Sequence, residues 1–221
     1  MKKARNSLGN NPPKPRRVFV VRHGETDYNR NGKLQGRGIN APLNELGREQ
    51  ARAVAEYFKD TELDYMATSS LLRAKQTAKP LAEMKKIEPE TFPELDEIDF
   101  GIYEGEHAEG LGEKLTSIHK KWRNGDLEHA APEGEHPKEV FGRADGKIAE
   151  ILSNTVHNTL LFVVHGRLIR ILMSEWLGLG LHRMDDVEHA NGAIYEMLWE
   201  NGRFEPVQIN YTDHLGELSA V

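Results

Sequence analysis

The sequence predicts an α/β fold with an anion site at one edge of its sheet. Two short apolar runs rich in β-branched residues, Val-Phe-Val-Val at 18–21 and Leu-Leu-Phe-Val-Val at 160–164, read as strands buried on both faces. Each leads straight into a histidine and a glycine: Arg22-His23-Gly24 after the first and His165-Gly166 after the second. Other stretches carry apolar residues at helical spacing, as at Leu46, Ala53, Val54, Tyr57 and Phe58. Open α/β sheets bind ligands beyond the carboxyl ends of their strands, so two imidazoles are expected over one pocket, with Arg22 beside them as an anion-binding group. Glycine after each histidine permits a sharp turn and close approach of a ligand.

The 221 residues suffice for one sizeable core. A composition of 38% apolar and 29% charged residues is that of an ordinary soluble protein, and the net charge of -6 argues against nucleic-acid binding. The lack of cysteine excludes disulfides, thiolate nucleophiles and Cys-ligated zinc. No apolar run approaches the roughly 20 residues needed to cross a bilayer, and residues 1–17 lack the apolar core of a signal peptide. The expected location is therefore cytoplasmic, with no membrane partner. Residues 1–16 read as a mobile basic tail and 17–210 as one domain, with 106–136 as a lid or insertion. Residues 211–221 read as a polar C-terminal tail.

After the first His-Gly, residues 27–44 form a polar loop long enough to suggest function. Asn44 suits the cap of a helix over 45–59, and 63–68 reads as a short strand. Ser and Thr at 68–70 mark a helix start that places Arg73 in the first turn. A cation is mildly unfavourable there unless an anion bridges it to the free N–H groups; by itself Arg73 reads as a solvated surface arginine. The segment 93–105 packs five carboxylates among apolar residues. Glu97, between Leu95, Ile98 and Phe100, sits where desolvation favours a protonated acid, although an acidic surface loop accounts for the same pattern. His107, His119, His129 and His136 lack metal-ligand spacing and read as scattered surface residues. Residues 111–122 suggest a helix over the sheet edge, and Pro137 opens one running to about 154. Leu168, Ile169, Leu172, Met173, Trp176 and Leu177 define a helix after the second strand, stopped by Gly178. Asn201-Gly202 joins a hairpin over 193–209. Its outer strand suits pairing across a dimer, so monomer and homodimer both stand.

These side chains share one chemistry. Arg22 and Arg73 can donate forked hydrogen bonds to a phosphoryl group, and His165, protonated beside a bound dianion, adds a third donor. His23, neutral, can attack phosphorus. Glu97 can protonate the leaving oxygen and then deprotonate the hydrolytic water. Such a positive pocket neutralises the equatorial oxygens without a metal or other cofactor.

At these residues the sequence resembles the histidine phosphatase superfamily, whose type member is phosphoglycerate mutase. The resemblance rests on Arg22-His23-Gly24-Glu25-Thr26, Ser69-x-Leu71-x-Arg73-Ala74-x-x-Thr77-Ala78, Glu97 ahead of Phe100-Gly101, and the strand-borne His165-Gly166, in family order. It implies a three-layer αβα sandwich with a mostly parallel central sheet. It implies His23 as the phosphorylated nucleophile, and Arg22, Asn29, Arg73 and His165 as the phosphate pocket. It also implies Glu97 as proton donor and Gln35-Gly36 as substrate loop. Mutases of the family have Thr-Gly-Trp where this chain has Gln35-Gly36-Arg37, and Trp-Arg-Arg where it has Trp122-Arg123-Asn124. Leu34-Gln35-Gly36, Phe100-Gly101-x-x-Glu104-Gly105 and Pro132-Glu133-Gly134-Glu135 look more like the small-molecule phosphatases, which usually have serine where His136 stands. The favoured reading is a metal-independent phosphatase for a small phosphorylated substrate. The alternatives are a phosphoglycerate mutase and a non-catalytic phosphate-ester binding module.

Overall fold

The computed structural model describes residues 15–219. The expected basic tail lies outside the described residues except for Pro15 and Arg16, and Arg16 already opens the first strand. In chain order the elements are β1 (Arg16–Arg22), α1 (Asp27–Arg30), α2 (Glu45–Tyr57), β2 (Tyr65–Ser69), α3 (Leu72–Lys85), β3 (Glu90–Phe92), α4 (Ala108–Arg123), α5 (Pro137–Asn154), β4 (Thr159–Val164), α6 (Gly166–Trp176), β5 (Ile194–Glu200) and β6 (Arg203–Tyr211).

The six strands form one sheet in the order β3-β2-β4-β1-β5-β6. The first four pair in parallel, β5 is antiparallel to β1, and β6 is antiparallel to β5, so five of the six strands point one way. Alternation along the strands separates two cores. Val18, Val20, Phe162 and Val164 pack with Val140, Ala144 and Ile148 of α5 and with α6. Phe19, Val21, Leu161 and Val163 pack with Val54 of α2, with Phe58 just beyond its end, and with Ala74, Ala78 and Leu81 of α3. Helices thus cover both faces of the sheet, giving three layers.

Local chemistry explains the boundaries. Asn44 accepts the Gly47 N–H and starts α2. Gly178, at φ 71, stops the chain after α6. Asn201 and Gly202, at φ 51 and 79, make the hairpin turn. His136 caps α5 through Nδ1, accepting the Glu139 N–H at 3.2 Å while the Glu139 carboxylate accepts the His136 N–H at 3.1 Å. The imidazole nitrogen does here what a serine hydroxyl does at other helix starts.

Four expectations are corrected. The 27–44 loop holds a one-turn helix, α1, nucleated by a capping box between Thr26 and Asn29. Ser69 and Ser70 do not cap α3; their hydroxyls bind Asp96, and the Asn40 side chain accepts the Leu72 N–H instead. Residues 213–218 form a 3-10 turn that buries Leu215, and Gln50 donates to the Leu218 carbonyl, so the described part of the C-terminal tail is packed against α2. His119 is no loose surface residue, since it stacks on Trp122 and accepts from Arg167. No helix among the described residues is long and apolar enough to cross a membrane.

Candidate active site

Register builds the site. Arg22 pairs with Val164 across β1 and β4, one residue before each histidine. His23 and His165 therefore leave the same sheet edge side by side, with ring centroids 5.2 Å apart. On the other side of β4, β2 ends at Ser69, and α3 begins there with Arg73.

His23 is 3% exposed, and its Nδ1 lies 2.7 Å from the Gly24 carbonyl oxygen. A carbonyl only accepts, so Nδ1 carries the hydrogen and Nε2 presents a lone pair. Nε2 makes no hydrogen bond among the described residues. Burial, then the charges of Arg73 and Arg22, push the imidazole well below its ordinary pKa, which keeps it neutral. Gly24 is needed because a Cβ there would press on the backbone of Gly47 at the start of α2. Its N–H is held by Thr77 Oγ1 at 3.0 Å.

Arg73 is 0% exposed, not a surface arginine. Its guanidinium donates to His165 Nδ1 at 3.2 Å, to the Ile39 carbonyl at 2.7 Å and to the Gly36 carbonyl at 3.2 Å. One side chain thus joins the second histidine to the 34–40 loop. Burial pushes Arg73 and Arg22 down to about 10, still cationic at neutral pH. Arg22 donates to the His189 carbonyl at 3.2 Å, and its Nε is buried without a partner. Gly166 keeps room for that guanidinium, because a Cβ would come within 2.9 Å of Arg22 Nε.

Asn29 accepts from the Thr26 N–H and from Asn191 Nδ2, leaving its own Nδ2 without a partner among the described residues. Gln35 accepts from the Thr26 hydroxyl at 2.7 Å, and its Nε2 is buried without a partner. A Cβ on Gly36 would overlap Glu104 and the Ile98 carbonyl. A cavity of about 540 Å³ opens at this edge, lined by Arg22, Asn29, Arg30, His189 and Asn191. A larger one, about 620 Å³, lies away from it between α3 and β3.

Glu97 differs from expectation. Its carboxyl is buried but not in an apolar setting: Oε1 accepts the N–H groups of Ile98 and Leu168, and Oε2 accepts that of Arg167. These donors lie partly at the start of α6, a natural anion site. Each carboxylate oxygen has two lone-pair directions, so Oε2 retains one. Arg143 holds this segment in place, donating to the carbonyls of Glu94, Asp96 and Glu97 while pairing in two-pronged fashion with Glu135.

All nine sequence-predicted site residues lie around this edge. Sequence reasoning gave no role to the groups that hold them: Asp96, Glu135, Arg143 and Asn191. Ser69 and Thr77 stood in a quoted motif without a role. For Glu135 the Pro-Glu-Gly-Glu stretch was a signal; for Asn191, which donates to the His23 carbonyl at 3.0 Å, there was none. Among the described residues no group of three or more His, Asp or Glu side chains is arranged to hold a metal ion.

Residues 18–212 match the family described as the histidine phosphatase superfamily (branch 1). A putative phosphoserine phosphatase 2 of Hydrogenobacter thermophilus is 28% identical over 204 residues, covering 92% of this chain and 100% of that protein. A probable phosphoglycerate mutase GpmB of Cronobacter sakazakii is 34% identical over 162 residues, covering 73% of this chain and 75% of its own. Among solved structures, a mycobacterial glucosyl-3-phosphoglycerate phosphatase superposes with a TM-score of 0.79 at 26% identity, covering 89% of this chain and 100% of its own.

Proposed function

The chain belongs to the histidine phosphatase superfamily, and from that premise we propose that it is a metal-independent phosphatase of small phosphate esters, acting through a phosphohistidine on His23. The observation that carries the reading is the state of His23: neutral, locked by the Gly24 carbonyl, and presenting a free Nε2 beside the buried Arg73 and the partly buried Arg22.

The ester's phosphoryl group sits between Arg22 and Arg73, with Asn29 Nδ2 and Gln35 Nε2 as further donors. Nε2 of His23 attacks phosphorus, the P–O bond to the leaving alkoxide breaks, and a proton on Glu97 Oε2 passes to that oxygen. The free lone-pair direction of Oε2 is the only part of that carboxyl not already engaged by main-chain N–H groups. In the second half Glu97 takes a proton from water as that water attacks the phosphohistidine, and phosphate leaves. Arginine charge and fixed dipoles do the work of stabilisation, as phosphoryl transfer requires. The segment 106–136, with α4 in it, covers the leaving-group side as a lid.

A second reading is favoured by one observation, the 34% identity to a probable phosphoglycerate mutase. A mutase uses the same His23 but returns the phosphoryl group to product, which requires water to be kept out. The test is release of inorganic phosphate from p-nitrophenyl phosphate and from 3-phosphoglycerate in excess EDTA. Phosphate release that survives chelation supports the phosphatase. Loss of activity on chelation contradicts the metal-independent mechanism. Interconversion of phosphoglycerates without phosphate release supports the mutase, and binding without either supports a silent module.

A further inference from the structure

The second histidine is the end of a buried hydrogen-bond chain whose directions are all determined. Arg73 Nε can only donate, so His165 Nδ1 accepts at 3.2 Å. His165 Nε2 must then carry the hydrogen and donate to Ser69 Oγ at 2.7 Å. The serine also accepts the Leu71 N–H at 3.1 Å, so its own hydrogen goes to Asp96 Oδ1 at 2.8 Å. Asp96 Oδ1 also accepts the Ser70 N–H at 2.7 Å, while Oδ2 accepts the Ser70 hydroxyl at 2.8 Å and lies 3.6 Å from Arg37 Nε, the cation that faces this side chain in wild type and variants alike. His165, Ser69 and Asp96 are at most 3% exposed.

In this state His165 offers no hydrogen to a ligand. Its Nε2–H is used by Ser69, and its Nδ1 faces Arg73. To donate to a phosphoryl oxygen the ring must gain a proton on Nδ1. The N–H bond forms with a proton taken from solution, the Arg73 Nε–H···Nδ1 hydrogen bond breaks, and that N–H turns to the phosphoryl group. Burial opposes the resulting imidazolium most, and the facing Arg73, His23 ring, Arg143 and Arg22 oppose it further. The carboxylate aligned with it is Asp96, reached through Ser69.

We infer that Asp96, acting through Ser69, is a positioning residue that holds the Nε2 proton of His165 and stabilises the imidazolium formed when a phosphoryl anion binds. The role rests on the phosphatase reading for its place in the reaction, but it concerns anion binding and is measured without turnover. It also explains why Ser69 and Ser70 are spent on Asp96 and not on the cap of α3.

The experiment measures the affinity of inorganic phosphate between pH 6 and 9 by calorimetry for wild type, Asp96→Asn, Ser69→Ala and the double variant. Ionisation of phosphate itself is common to all four and cancels in the comparison. As pH rises, binding weakens when His165 loses its second proton. Removing the Asp96 charge or the serine link makes that loss occur at lower pH, by about one unit. The double variant should match Ser69→Ala, because the carboxylate acts only through the hydroxyl. Ser69→Ala leaves the Ser70 contacts of Asp96 intact, so it carries the test if Asp96→Asn fails to fold. A folded Ser69→Ala protein with an unshifted profile overturns the inference. Additive shifts in the double variant overturn the serine link, and no phosphate binding by wild type at any pH removes the anion the inference needs. Ester hydrolysis is measured separately, so a protein that binds phosphate with this pH profile but releases none from esters fails only the phosphatase reading.

Discussion

Arg73 shows how little one residue reveals from its own neighbourhood. Read alone in the first turn of a helix, it is a solvated cation in a slightly unfavourable place. The structure buries it because its three acceptors, His165 Nδ1 and the carbonyls of Gly36 and Ile39, come from a strand end and a loop far away in sequence. The motif around it, not the helix pattern, was the legible signal. Glu97 is the converse: its apolar neighbours were readable, but the N–H groups of Arg167 and Leu168 that occupy it were not. Because Arg73 acts as a planar fork, Arg73→Lys should behave nearly as badly as Arg73→Ala. Both should lower kcat/KM by about a hundredfold to a thousandfold in steady-state assays. Full activity in the lysine variant would contradict the forked role.

At the scale of elements, the sequence was most informative where periodicity ran long. The two buried strands, the helices on α2, α5 and α6, and the Asn-Gly hairpin were all legible from pattern and caps. The elements that escaped, α1 with four residues and β3 with three, are too short for any period to show and depend on local capping or on a neighbouring strand. The tight approach of the first His-Gly turn to α2 follows from glycine at both 24 and 47. Gly24→Ala should therefore cost about 1–3 kcal/mol and lower Tm by several degrees in calorimetry. Arg143→Ala tests a different support. It removes the clamp on the 94–97 carbonyls and leaves the half-buried Glu135 carboxylate without its two-pronged partner. The expected loss is about 3 kcal/mol of stability, with kcat reduced more than KM is raised, because Glu97 loses its fixed position.

Over the whole molecule, five histidines are held below their ordinary pKa: His23, His119, His165, His189 and His214, in each case chiefly by burial. An unfolded histidine titrates near pH 6.5, so below that value the unfolded chain binds more protons than the folded one. The stability these residues contribute is present above about pH 6.5 and is lost as pH falls. In phosphate-free buffer Tm should change little between pH 7.5 and 8.5 and drop steeply from about 6.5 to 5, with a dependence of more than one proton; a Tm that rises toward pH 5 would contradict neutral burial. The same neutrality is what the proposed nucleophilic role of His23 requires in a site crowded with arginine, which ties the stability profile to the proposed chemistry. The most direct measurement is a rapid acid-free quench of the protein with a phosphate ester, followed by peptide mapping. The account predicts a base-stable, acid-labile phosphoryl group on His23, absent from His23→Ala. Turnover with no phosphoryl group on His23, or with one on another residue, would contradict it.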